Sequence, residues 1–335
     1  MRKTKWLLQL SLLLLLNPQS ALASDNWEQF NTAGMNALHD SNYALAEKQL
    51  LKAKAEAEES GGPKYGNLST TLLGLGLLYD KKDNIAESEK NYKQALAYYE
   101  KSFGPSVLQD GNALQGLGDL YRHHNRYAEA LPYYQRALKI REVLIPEHTD
   151  TADTLNAIAD IYVKTGKKAE IAPVLSRVLS IRQKAYGTNH PKTAKTLERL
   201  CEAYVAQGKY QMAQPIAEQL VAARQAALGT NDPKVADALE ILANCYEKIA
   251  KPNKSENNYK KALVIRESGA KENPTALLNC LKPYAALLKG MGQQAEAAKL
   301  EARIAELSKP AAKADPKGAT KADPKADPKK TSKGK

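Results

Sequence analysis

The feature that most constrains this chain is a motif that returns every 41 or 42 residues. Leu72-x2-Leu75-Gly76-x2-Tyr79 comes back as Leu114-x2-Leu117-Gly118-x2-Tyr121 and as Leu155-x2-Ile158-Ala159-x2-Tyr162. It returns again as Leu197-x2-Leu200-Cys201-x2-Tyr204 and as Leu239-x2-Leu242-Ala243-x2-Tyr246, so that successive tyrosines lie 42, 41, 42 and 42 residues apart. Weaker copies flank these, Phe30-x2-Ala33-Gly34-x2-Ala37 upstream and Leu281-x2-Tyr284-Ala285-x2-Leu288 downstream. A chain built this way repeats one structural unit.

Each copy has a second half. Ala46/Leu50/Ala53, Ser88/Tyr92/Ala95, Ala130/Tyr134/Ala137 and Ile171/Leu175/Val178 follow the first four motifs. Ala213/Ala217/Leu220, Ser255/Tyr259/Ala262 and Ala297/Glu301/Ile304 follow the last three. Both halves place apolar or small residues at i, i+3, i+4 and i+7, the spacing of one helix face. Polar turns such as Thr165-Gly166-Lys167 and Gln207-Gly208-Lys209 lie between halves. Gly/Pro breakers such as Phe103-Gly104-Pro105 and Leu228-Gly229-Thr230-Asn231-Asp232-Pro233 lie between copies. The reading is an all-α chain of about seven helix–turn–helix copies over residues 24–308. Small residues at Gly76, Gly118, Ala159, Cys201 and Ala243 let the first helix press on the second, and the tyrosine three places on fills the gap toward a neighbouring helix. One hairpin cannot bury its apolar face alone, so stacking supplies the core. Glu301, where other copies carry Tyr or Leu, suits an outward-facing end.

This pattern, large-x2-Leu-Gly-x2-Tyr followed by Ala-x3-aromatic, resembles the tetratricopeptide repeat. The 42-residue step and segments such as Ala137-Leu138-Lys139-Ile140-Arg141-Glu142 and Leu263-Val264-Ile265-Arg266-Glu267 resemble its kinesin-light-chain-like variety. The resemblance implies a right-handed α-solenoid whose first helices line a concave groove. It also implies a protein or extended peptide as ligand and no cofactor. Carried over copy by copy, the groove positions include Gln115, Asp119, Arg122, Asn156, Asp160, Glu198, Glu202, Glu240 and Asn244. Asn156 matches the family asparagine that bonds a ligand backbone, and Gln115 can act alike. Acids outnumber bases along this wall, which favours a basic peptide.

The ends read differently. Arg2, Lys3 and Lys5, the apolar run Trp6–Leu16 and Ala21-Leu22-Ala23 have the form of a signal peptide over residues 1–23. Export to the periplasm or the extracellular space follows. Residues 309–335 repeat Ala-Asp-Pro-Lys three times, with nine Lys and three Asp, and read as a disordered Lys/Ala/Pro-rich tail. The net charge of +12 sits mostly in these ends, leaving about +3 for the middle, so no basic face for nucleic acid is expected. The tail offers an alternative role, an envelope-associated structural protein holding an anionic surface; another is an accessory subunit of an enzyme complex.

Catalytic and metal-binding patterns are lacking in the sequence: no His-Glu-x-x-His, no Cys-x-x-Cys, no Gly-x-Ser-x-Gly and no phosphate loop. No segment beyond the repeats exceeds 27 residues, too short for a catalytic domain. A non-catalytic scaffold is therefore expected. His123 and His124 read as a hydrated turn, and His148 and His190 as structural linker residues. Asn67 and Asn253 read as helix caps. Cys201, Cys245 and Cys280 read mostly as small buried residues, with one disulfide left open.

Overall fold

The computed structural model describes residues 21–59, 65–104, 107–270 and 272–308. The leader and the tail expected from the sequence lie outside them, except that Ala21–Ala23 open the first helix. Among the described residues are fourteen α-helices and no strand. They are α1 (Ala21–His39), α2 (Tyr43–Glu59), α3 (Tyr65–Lys81), α4 (Ile85–Phe103), α5 (Leu108–His123), α6 (Tyr127–Leu144) and α7 (Thr149–Lys164). Then come α8 (Lys168–Tyr186), α9 (Pro191–Val205), α10 (Tyr210–Leu228), α11 (Pro233–Lys248), α12 (Pro252–Ser268), α13 (Pro274–Gly290) and α14 (Gln294–Leu307). Seven hairpins thus match the seven copies.

The contacts divide the chain into two units, residues 1–265 and 266–335. In the first unit each of the hairpins α1/α2, α3/α4, α5/α6, α7/α8 and α9/α10 closes on itself, and each second helix packs on the first helix of the next copy. First helices also touch one another, α1 with α3, α3 with α5, α5 with α7 and α9 with α11. In the second unit α13 and α14 pack together.

Local chemistry sets the hairpin ends. Every turn between first and second helix holds one residue in the left-handed region: Ser41, Asp83, Asn125, Gly166, Gly208, Ala250 and Gly292, with φ between 58° and 78°. They recur at the 41–42 residue step. Asp and Asn tolerate this conformation better than Ala, which has neither glycine's freedom nor a polar side chain for a local bond. At the other end, His148, His190 and Asp232 occupy one register position and do one job: each side chain accepts a hydrogen bond from the backbone N–H two residues on. The structural role expected of the two histidines is thus an N-cap. Asn67 and Asn253 lie inside the first turns of α3 and α12, not at caps.

The expected close approach of paired helices is present. A Cβ on Gly34 would sit 2.7 Å from Leu50, one on Gly76 2.7 Å from Tyr92, and one on Gly118 2.9 Å from Tyr134. A further pair of glycines serves the neighbouring copy. A Cβ on Gly116 of α5 would lie 2.4 Å from the Tyr92 ring of α4, and one on Gly74 3.1 Å from Leu50 of α2. Tyr92 is therefore wedged between its own hairpin and the next. The motif tyrosines also reach backward: the Tyr79 hydroxyl donates to Glu47 of α2 at 3.0 Å, and that of Tyr246 to Glu218 of α10. Burial and the Glu47 carboxylate push the Tyr79 hydroxyl up to about 12.

Candidate functional site

The nine side chains expected to line the ligand face lie on α5, α7, α9 and α11 of the first unit. Glu202 is exposed and the other eight are half-buried. Helix periodicity puts Gln115, Asn156, Glu198 and Glu240 at one register position of consecutive first helices. The direct contacts between those helices make the row continuous from α5 to α7 and from α9 to α11.

Most of these groups are held by cations of the array itself. In α5, Asp119 accepts from the Tyr134 hydroxyl at 2.7 Å, from Arg122 at 3.1 Å and from Gln115 at 3.2 Å. Arg122 also donates to the Tyr134 oxygen at 3.0 Å. Burial works against the guanidinium, but its bonds to Tyr134 and Asp119 hold it firmly charged. Burial and the nearby Asp119 keep the Tyr134 hydroxyl protonated.

Between copies runs a second set of arginines, from the C-terminal parts of the second helices. Arg141 of α6 is 3% exposed and donates to Asn112 and Gln115 of α5 and to Thr154 and the Asp150 carbonyl of α7. Burial lowers its affinity for its proton. Arg182 of α8 bridges Asp153 of α7 and Thr196 of α9, each at 2.9 Å. Arg224 of α10 bridges Glu198 of α9 at 2.6 Å and the Lys234 carbonyl of α11 at 2.8 Å. Each clamps the first helix of its own copy to that of the next. Sequence reasoning passed over this ladder, although Arg141, Arg182, Arg224 and Arg266 recur at steps of 41, 42 and 42.

Arg199 of α9 adds a link of another kind, donating to Asn156 and Asp160 of α7. The Oδ1 of Asn156 is thus already an acceptor, and its Nδ2–H can donate to a ligand backbone carbonyl. On α11, the Asn244 Oδ1 is buried with no hydrogen-bond partner among the described residues. The wall is consequently less acidic than a count of carboxylates suggests, because Asp119, Asp153, Asp160 and Glu198 each face an arginine. Glu202 differs. Loss of hydration and the Glu198 carboxylate one turn away raise its carboxyl, against the opposing pull of Arg199 and Arg224.

The neighbouring histidines stand at the helix end and turn expected of them, with His123 exposed, and also face the preceding copy. His123 lies 3.2 Å from Asp80 of α3, whose side chain is 6% exposed, and His124 lies 3.7 Å from Asp83. They join copies two and three. Among the described residues no cluster of three or more His, Cys, Asp or Glu side chains could hold a metal ion, and no helix is long and apolar enough to cross a membrane. The face offers amide, hydroxyl, carboxylate and guanidinium groups, which suit hydrogen bonding and ion pairing with a docked chain.

Comparison with known proteins agrees with this architecture. None of the curated proteins matches the chain. Among solved structures, a Podosopora anserina kinesin light chain with nearly identical TPR-like repeats is 21% identical, over 63% of this chain and 98% of that one, with a TM-score of 0.50. RapI in its apo form is 14% identical over 84% of this chain and 97% of that one, with a TM-score of 0.53. Pseudomonas aeruginosa pilF is 12% identical over 77% and 97%, with a TM-score of 0.52. These likenesses concern the fold. The family model of the tetratricopeptide repeat matches residues 29–101, 81–142, 110–184, 150–226 and 192–268. With its seven hairpins, its small-residue contacts and this run of overlapping matches, the chain belongs to the tetratricopeptide-repeat family.

Proposed function

We propose that this protein is an exported, non-catalytic scaffold that docks a protein or extended peptide on the first-helix face of its solenoid. Tetratricopeptide arrays serve protein–protein interaction, and the fold carries that much. The observation that carries the finer reading is the set of half-buried polar side chains Gln115, Asn156, Asp160 and Glu198, held by Arg141, Arg199 and Arg224. Side chains already immobilised lose little further entropy when a ligand binds. The α9–α11 stretch leans toward a ligand with basic side chains. A cation beside Glu202 would relieve its crowding with Glu198.

Docking is tested by crosslinking the full chain in the exported fraction, beside a variant carrying Gln115→Ala, Asn156→Ala and Glu202→Gln. Partners captured by the wild type and lost by a variant of unchanged circular dichroism support the face. Equal capture by both places the docking surface elsewhere. Export rests on the charge and apolar pattern of residues 1–23. Secreted material should begin at Ser24, and a soluble cytosolic protein retaining Met1 overturns it.

A further inference from the structure

The turn between the two helices of each hairpin carries a charge pattern that its structural duty does not explain. The residue just before each second helix is Asn42, Asn84, Arg126, Lys167, Lys209, Lys251 and Gln293 in copies one to seven. In copies one and two the asparagine caps the helix: the Asn42 Oδ1 accepts from the Leu45 N–H at 3.2 Å and the Asn84 Oδ1 from the Glu87 N–H at 3.3 Å. Arg126, Lys167 and Lys209 make no such bond. A cation there forfeits the cap and meets the positive end of the helix dipole, so it works against the fold. Its neighbours extend the pattern. Residues 163–170, 205–212 and 247–254, the tips of copies four to six, hold seven lysines, all exposed, against two glutamates. The matching tip of copy two, residues 80–87, holds two lysines against Asp80, Asp83 and Glu87. Lys164, Lys168, Lys209 and Lys251 enter no ion pair among the described residues. Neighbouring tips are in contact, the Gln207 amide of copy five donating to the Lys168 carbonyl of copy four at 2.7 Å, and α9 touches α11. Among the lysines stand two exposed apolar side chains, Val163 at 53% and Met212 at 50%.

We propose that the hairpin tips of copies four to six are a docking surface for an anionic phospholipid bilayer. The lysines pair with headgroup phosphates, a contact that strengthens with each cation brought to the surface. Long, solvated side chains at the end of each hairpin reach such a surface without disturbing the helices behind them. Val163 lies next to the last residue of α7 and Met212 in the first turn of α10, so both stand beside the lysines at the tips. They decide between a bilayer and a soluble polyanion. An acidic protein segment needs only the charges, whereas a bilayer also offers an apolar layer beneath its headgroups to receive a valine and a methionine. Copies one and two, with capping asparagines and acids at the same positions, stay out of the contact. The reading depends neither on the side of a membrane that the protein meets nor on what the first-helix face binds.

The test is co-sedimentation of the full chain with vesicles of equal parts phosphatidylcholine and phosphatidylglycerol, and with vesicles of phosphatidylcholine alone. The wild type should bind the first in low salt, lose them in high salt, and ignore the second. A tip variant combines Lys167→Asn, Lys209→Asn and Lys251→Asn, the residue of copies one and two, with Lys164→Gln and Lys168→Gln. It should bind the anionic vesicles about a hundredfold more weakly. Its urea midpoint should be equal to the wild type's or higher, because caps are restored. A charge-matched variant that neutralises exposed lysines of the second helices, Lys52, Lys101, Lys139, Lys184 and Lys261 to Gln, should bind nearly as the wild type does. Residues 309–335, with nine lysines, stay in every variant, so they cannot account for a difference between them. Val163→Ser with Met212→Ser should weaken vesicle binding severalfold and leave retention on immobilised poly-glutamate unchanged. Equal binding by the wild type and the tip variant, an equal loss in the charge-matched variant, or a tip variant of lowered urea midpoint would each overturn the proposal. So would vesicle binding indifferent to the two serines, which assigns the tips to an acidic protein instead.

Discussion

The junction between copies two and three and the junction between copies five and six solve one packing problem with opposite allocations of volume. At the first, the large Tyr92 of α4 fits between Gly76 and Gly116, either of which would collide with it if it carried a Cβ. At the second, the matching register positions are Ala217 on α10 and Ile241 on α11, so the bulk has moved to the other helix. The clamps change as well. Tyr99 of α4 stands at the register of Arg224, and its hydroxyl meets that of Thr70 in its own hairpin at 3.0 Å, whereas Arg224 meets the Glu198 carboxylate. The lesson is that a repeat fixes where helices lie and how much volume each junction holds, and leaves open which side supplies that volume.

The difference is broken most strongly at its largest side chain. Tyr92→Ala should cost about 3–5 kcal/mol by leaving a cavity between two glycines, while Ala217→Gly should cost only about 1 kcal/mol, mostly backbone freedom. Urea midpoints of the two variants compare them, and equal losses would erase the contrast. Next in size, Arg224→Met and, at the junction of copies three and four where the clamp has only neutral acceptors, Arg141→Met should each cost about 2 kcal/mol by breaking charged hydrogen bonds. Their salt response should differ: the cost of Arg224→Met shrinks in 1 M salt because an ion pair is being screened, and that of Arg141→Met stays.

Smaller changes sharpen the comparison. Ala250 closes the hairpin of copy six in the left-handed region at φ 58°, where copies four and five use Gly166 and Gly208. Ala250→Gly should stabilise by about 1 kcal/mol, read as a rise in the unfolding midpoint. The smallest effect concerns Glu202. Its folded carboxyl lies above the unfolded value, so the folded state binds that proton more readily. Ionised Glu202 therefore costs stability above the raised folded value, and the cost disappears once pH falls below the unfolded carboxylate range. Glu202→Gln should raise the urea midpoint slightly at pH 7 and leave it unchanged at pH 3; a loss at pH 7 would reverse the sign.

Period and residue size made the seven hairpins, their turns and the helix-to-helix contacts at Gly76 and Gly118 legible in the sequence, since these depend on residues within one copy. What was not legible depends on the neighbour. Gly116 is one more small helical residue until Tyr92 of the preceding copy is set against it. The arginines near the ends of α6, α8 and α10 look like surface charge until the next first helix covers them. The carboxylates of the ligand face could be counted, but their pairing with Arg182, Arg199 and Arg224 needs three dimensions. Asn67 was misread as a cap because α3 starts at Tyr65, three residues earlier than a cap at Asn67 implies.

The wedge of Tyr92 has a consequence for how such a chain can grow or shrink. The stretch that matches along the sequence runs from a first helix to its second, but the stretch that must be matched in volume runs from a second helix to the following first. The two are out of phase by half a copy. Duplicating or deleting copies at a sequence boundary brings unlike faces together: copy two placed before copy six would drive Tyr92 toward Ile241, and copy five placed before copy three would leave Ala217 opposite Gly116 with nothing to fill the space. Crossovers are better tolerated where the break falls in the turn between a hairpin's helices: Tyr92 then keeps Gly116, and the register of Gly76 is filled by another small residue, Gly34, Gly118, Ala159, Cys201 or Ala243. Chimeras cut at residues 82–84 and 124–126 should therefore fold better than chimeras cut at the Gly/Pro linkers.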